Sequence, residues 1–109
     1  MKTRKSGLIV NIISQAGLYG KAERSVYTAS KWAVTGFTKS LALELATFNI
    51  AVTGFYPGMM KTGIFAKVGS QKEFTKALEP EAVARAVAFV VETDAPMMFP
   101  EVGIKHVGQ

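Results

Sequence analysis

Gly7-Leu8-Ile9-Val10-Asn11-Ile12-Ile13-Ser14 is an apolar run interrupted by one amide and closed by a hydroxyl. Its length and its β-branched residues read as a strand buried on both faces over 8–13, the kind found inside a parallel sheet. A second run of the same type, Ile50-Ala51-Val52-Thr53-Gly54-Phe55-Tyr56, is ended by Pro57-Gly58. Between the two, Ala33, Val34, Phe37, Leu41, Leu45 and Phe48 recur at helical spacing, which predicts a long helix over about 26–48 facing the sheet or a partner, with Asn49 as its stop. Pro80 and Glu81 suit the first turn of another helix, whose apolar side is marked by Val83, Val87, Val90 and Val91 to about Thr93. Met97-Met98-Phe99 and Val102-Gly103-Ile104 predict a short last strand or extended tail, interrupted by Pro100. Two strand–helix–strand steps in succession call for a parallel sheet with helices packed on it.

The chemistry-bearing residues sit at the seams of this pattern. Tyr27 and Lys31 are four apart in Val26-Tyr27-Thr28-Ala29-Ser30-Lys31-Trp32, so on a helix the phenol and the ammonium share one face. A neighbouring cation favours phenolate over phenol, which makes Tyr27 a candidate general acid or base. Ser14 leaves the C-terminal end of a buried strand, where open α/β sheets hold their ligands, and its hydroxyl could hold a substrate oxygen. Taken alone, a tyrosine and a lysine one turn apart are more often a half-buried ring with a snorkelling neighbour. The other motifs change that balance.

Ile9-Val10-Asn11-Ile12-Ile13-Ser14, Tyr27-Thr28-Ala29-Ser30-Lys31 and Tyr56-Pro57-Gly58-Met59-Met60-Lys61-Thr62, in this order and spacing, resemble the second half of the classical short-chain dehydrogenase/reductase family. The likeness runs from about Gly7 to Val107. It implies that Ser14 orients a substrate carbonyl, that Tyr27 is the acid/base, and that Lys31 assists Tyr27 and bonds the nicotinamide ribose. Pro57, Gly58 and Thr62 would border the nicotinamide, so Tyr27, Lys31, Pro57, Gly58 and Thr62 are the implied contacts to NAD or NADP. The resemblance also implies an α/β fold, a partial Rossmann-like three-layer α/β/α sandwich with a short parallel sheet. Its second crossover would be left-handed, setting the 81–93 helix on the face opposite the 26–48 helix. Residues 59–79 would close over a small carbonyl or alcohol substrate, and the 26–48 helix would serve subunit packing. Where the family usually has a serine before the catalytic one, this chain has Ile13.

No strand–turn–helix with a glycine-rich phosphate fingerprint occurs in the sequence. Gly17 and Gly20 fall in the loop after Ser14 and Gly36 falls inside a helical pattern, so turn or packing roles are expected of them. The functional expectation by resemblance is an NAD(P)-dependent oxidoreductase interconverting a ketone and a secondary alcohol. The alternative is a truncated, catalytically silent fragment that lacks the dinucleotide-binding half and self-associates; a third reading is an interaction module using the 26–48 helix. By itself the chain is expected to bind either dinucleotide very weakly.

Composition narrows the remaining classes. The 109 residues suit a single domain spanning 1–109, and 49% hydrophobic content is high for a small one, as expected of strands covered on two faces. The net charge of +5 could suggest nucleic acid, but Lys2, Arg4 and Lys5 cluster at one end and no aromatic residues interleave with the basic ones, so a solvated surface is expected and no nucleic-acid partner. Basic residues before an apolar stretch invite comparison with an export signal, yet the stretch is short and is broken by Asn11, so export is not expected. No apolar run reaches the ~20 residues of a membrane-spanning helix. Zero cysteines leave no disulfide or thiolate chemistry and suit a cytoplasmic protein. His106 is the single histidine, and no metal site is expected around it. The resemblance implies that the outer neighbour of the 8–13 strand comes from the other half of the family fold, and the doubly apolar edge so left predicts a homo-oligomer built through that edge, the 26–48 helix, or both.

Overall fold

The computed structural model describes residues 1–62 and 76–109. The elements follow in the order β1 (Gly7–Ile12), a short 3-10 turn (Gln15–Gly17), α1 (Ser25–Ala46), β2 (Ile50–Pro57), α2 (Pro80–Val91) and β3 (Glu101–Ile104). All three strands are parallel in the order β1-β2-β3, with Ile9 opposite Val52 and Tyr56 opposite Gly103. The last strand begins immediately after Pro100, whose carbonyl accepts from Gly54 N at 3.0 Å and so extends the ladder to β2. That contact settles the choice between strand and tail.

Side chains alternate along β2 between two helical layers. Ile50 and Val52 join Ile9 against Leu41, Ala42 and Leu45 of α1 and Phe48 just past its end. Phe55, together with Val10, Val102 and Ile104, meets Val83, Ala86, Val87 and Val90 of α2. The helices therefore lie on opposite faces, giving the α/β/α sandwich. Two crossovers that step the same way across a parallel sheet can put helices on opposite faces only if their hands differ, so one departs from the usual right-handed rule. Burial on both sides explains why β2 is apolar almost throughout; Phe55 has no exposed surface at all.

Helix α1 packs differently from its apolar pattern. Val34, Leu41, Leu45 and Phe48 turn inward as expected, but Ala33 and Phe37 lie on the exposed side, and Thr35 and Thr38 take the inward positions between them. The hydroxyls make this burial tolerable by back-bonding: Thr38 Oγ1 donates to Val34 O at 2.7 Å and Thr35 Oγ1 lies 3.2 Å from Lys31 O. Thr38 also accepts from Asn11 Nδ2 at 2.9 Å, which accounts for the one amide in β1. The helix closes through Asn49, whose φ of 56° lies in the left-handed region that asparagine tolerates. On α2, Val91 is 54% exposed and does not join the apolar side expected of it, because three and four residue steps from Val83 lead to Ala86, Val87 and Val90. Lys39 of α1 donates to Glu101 of β3, and that hydrogen bond holds the lysine above its ordinary pKa.

Candidate active site

Because the sheet is parallel, β1, β2 and β3 all deliver their C-terminal ends to one edge, and Ser14, Pro57 and Gly58 follow those ends directly. β1 continues one residue past Ile12 through Ile13 N, which donates to Phe55 O at 2.7 Å, and Ser14 follows. Its Oγ accepts from Ala16 N at 3.1 Å, which fixes the side-chain orientation. Among the described residues the Ser14 hydroxyl has no acceptor for its proton, so the proton remains available for an incoming oxygen.

Helix α1 supplies the phenol and the ammonium. Its N-terminal residue Arg24 gives no side-chain cap, and Tyr27 lies in the first turn with 40% of its surface exposed. Lys31 Nζ stands 5.5 Å from the centre of the Tyr27 ring, a cation–π distance, and Ser30 Oγ donates to Tyr27 O at 2.6 Å across the turn between them. The i, i+4 spacing has thus put the pair side by side on an accessible surface. Among the described residues no hydrogen bond joins Ser14 Oγ to the side chain of Tyr27 or of Lys31.

The turn after Ser14 is seated on both neighbours. Gln15 Nε2 donates to Tyr56 O at 2.7 Å, and Thr35 Oγ1 donates to Gly17 O at 2.9 Å. Gly17 is buried so closely that a Cβ there would lie 2.7 Å from Thr35 Oγ1 and 2.8 Å from Ile13 Cγ2. Glycine is needed at this position for close approach and not for an unusual φ. Gln15 and Thr35 were not among the sequence candidates. The one available signal was that Thr35 lies one turn beyond Lys31 on the same helical face.

Pro57 and Gly58 end β2 at the same edge. Gly58 N donates to Ile104 O at 2.8 Å, tying the turn to β3, while Thr62 lies four residues on and is exposed. The expected closure over substrate by residues 59–79 falls largely on 63–75, outside the described residues. The two flanks of that stretch meet in a bridge between Met60 and Leu78. A cleft of about 340 Å³ opens beside β3, lined by Gln15, Leu18, Tyr19, Tyr56, Glu101, Gly103 and Lys105; Ser14 and Tyr27 do not line it. Among the described residues, no helix is long and apolar enough to cross a membrane, and no three acidic, histidine or cysteine side chains cluster as metal ligands do.

The residues present suit one end of a dinucleotide. Lys31 and Tyr27 offer donors that a ribose could take, while Pro57 is buried and the open side of Gly58 is filled by Gln109 and Lys105. A pyrophosphate needs backbone N–H groups at a helix N-terminus after a glycine turn. Here the turn after β1 has its Gly17 packed against Thr35, and α1 begins only at Ser25, after seven intervening residues, 18–24. What suits a dinucleotide among the described residues is the pair of donors on Tyr27 and Lys31.

Comparison with known proteins gives the chain's relatives. Residues 1–73 match the family model described as short chain dehydrogenase. Cyclohexanol dehydrogenase of Acinetobacter sp. (strain SE19) is 41% identical over 95 residues, which cover 82% of this chain and 38% of that protein. Cyclopentanol dehydrogenase of Comamonas sp. (strain NCIMB 9872) is 35% identical over 105 residues, covering 87% of this chain and 42% of its own length. Among solved structures, serine dehydrogenase from Escherichia coli superposes with a TM-score of 0.80 at 31% identity, over 98% of this chain and 43% of that one. A closed form of serine dehydrogenase complexed with NADP+ gives a TM-score of 0.87 at 30% identity, over 100% of this chain and 48% of that one. The chain therefore spans less than half the length of these relatives.

Proposed function

The chain belongs to the short-chain dehydrogenase family, and from that premise we propose that it supplies the catalytic half of an NAD(P)-dependent oxidoreductase interconverting a ketone and a secondary alcohol. The observation that carries this reading is the seating of the Ser14 turn on the helix that presents Tyr27 and Lys31. In the reduction direction Tyr27 gives its phenolic proton to the carbonyl oxygen, Ser14 donates a hydrogen bond to the same oxygen, and the Lys31 ammonium steadies the negative charge left on the phenol. A nicotinamide dinucleotide, when bound, supplies the hydride to the carbonyl carbon. Lys31, Tyr27, Pro57, Gly58 and Thr62 would hold its nicotinamide end.

We place this unit as a single domain over 1–109, acting in the cytoplasm, and as a self-associating chain. The relatives named for cyclohexanol and cyclopentanol make a cyclic secondary alcohol the first substrate to try. Because the diphosphate cradle has no counterpart in the sequence, the test is a graft in which this chain replaces the matched segment of the Acinetobacter enzyme. Oxidation of cyclohexanol with reduction of NAD or NADP is expected. A folded graft that binds dinucleotide and turns over neither cyclohexanol nor cyclopentanol would overturn the reading.

A further inference from the structure

We propose that Thr35 and Gln15 are positioning residues that hold Ser14 in register with Tyr27 and Lys31. This rests on the catalytic reading of those three residues, and it concerns groups that never touch substrate.

Ser14 belongs to neither a strand nor a helix, so its place depends on what anchors the turn that follows it. One anchor is Gln15 Nε2, which donates to Tyr56 O at 2.7 Å, just before Pro57-Gly58. The other is Thr35 Oγ1, 5% of whose residue surface is exposed and which reaches Gly17 O at 2.9 Å. The Thr35 hydroxyl has a single proton and two carbonyls in range, those of Gly17 and of Lys31 at 3.2 Å. It therefore gauges the gap between the serine turn and the Lys31 turn of α1 from a single atom. The absence of room for a Cβ on Gly17 makes the seat rigid, because the turn cannot shift toward α1 without overlap. The Gln15 anchor sets the same turn against the end of β2. Together they fix Ser14 relative to both the helix that carries the acid and the end of β2 before Pro57-Gly58, in the way that supporting shells fix catalytic groups.

The test uses the intact chain and then the graft. In the intact chain, amide exchange of Ala16, whose N–H is held by Ser14 Oγ, reports the seat, and exchange of Val52 in β2 reports the fold. Thr35→Val is expected to speed Ala16 exchange about five- to tenfold, the worth of one hydrogen bond, and to leave Val52 unchanged; Thr35→Ser restores the original rate. Gln15→Met gives the same pattern and serves if Thr35→Val does not fold. In the graft, each variant lowers kcat by a similar factor with KM for the dinucleotide unchanged, again rescued by Thr35→Ser. Unchanged Ala16 exchange, or equal acceleration at Val52, would overturn the positioning role even where the graft is active. A silent graft with the expected exchange pattern would instead overturn the catalytic reading and leave the seat standing.

Discussion

Tyr27→Phe in the graft is expected to lower kcat for cyclohexanol by about 10²–10⁴-fold, the usual share of a positioned general acid or base. The ring stays, so Lys31 keeps its neighbour at 5.5 Å and the helix keeps its packing; only the proton-carrying oxygen is removed. Dinucleotide affinity should change little, because the phenol is one of several groups at the nicotinamide end. Steady-state kinetics with both substrates, together with titration of the dinucleotide, separates these effects. A loss of less than about fivefold would mean that another group carries the proton.

Self-association of the isolated chain is the second large effect. Among the described residues β1 pairs with β2 alone, which leaves a row of backbone donors and acceptors along its other edge. Gly7–Ile12 contains no charge, proline or bulge to guard that edge, and Ile12 is 50% exposed. The N-terminal arm packs Met1 at Gly7, the first residue of β1, and otherwise reaches the turn after α1, with Lys2 Nζ 4.9 Å from the Phe48 ring and Lys5 O accepting from Asn49 Nδ2 at 3.4 Å. Helix α1 adds a second apolar surface, since Val26, Trp32, Phe37 and Leu43 all face outward. A specific interface needs only about 800 Å² from each partner. Light scattering at tens of micromolar is expected to give at least twice the chain mass. Ile12→Lys should disperse an assembly built on the β1 edge, and Phe37→Lys one built on α1. A monodisperse monomer would contradict the proposal.

The order of strands and helices, the C-terminal strand ends and the Tyr27–Lys31 pair were legible in the sequence because each rests on local spacing. A buried parallel strand announces itself by continuous apolar residues, as Ile50–Tyr56 does, and an i, i+4 pair follows from the helix repeat alone. The inward face of α1 was legible only in part. That helix is apolar on two sides, and the discriminating residues, Thr35 and Thr38, are polar by type and buried only because carbonyls and Asn11 satisfy them. Gln15 was hidden for a related reason: its partner is a backbone carbonyl 41 residues away, which no side-chain pattern encodes. The third strand was ambiguous because Pro100 interrupts its approach; the Gly54 bond to the Pro100 carbonyl decides it.

The most direct measurement of the site assignment is a crystal structure of the graft with a dinucleotide and cyclohexanone bound. The carbonyl oxygen is expected about 2.6–3.2 Å from both Ser14 Oγ and Tyr27 Oη, within hydrogen-bond reach of each. An oxygen held by other side chains, with the Tyr27 hydroxyl turned to solvent, would contradict the catalytic role proposed for this chain.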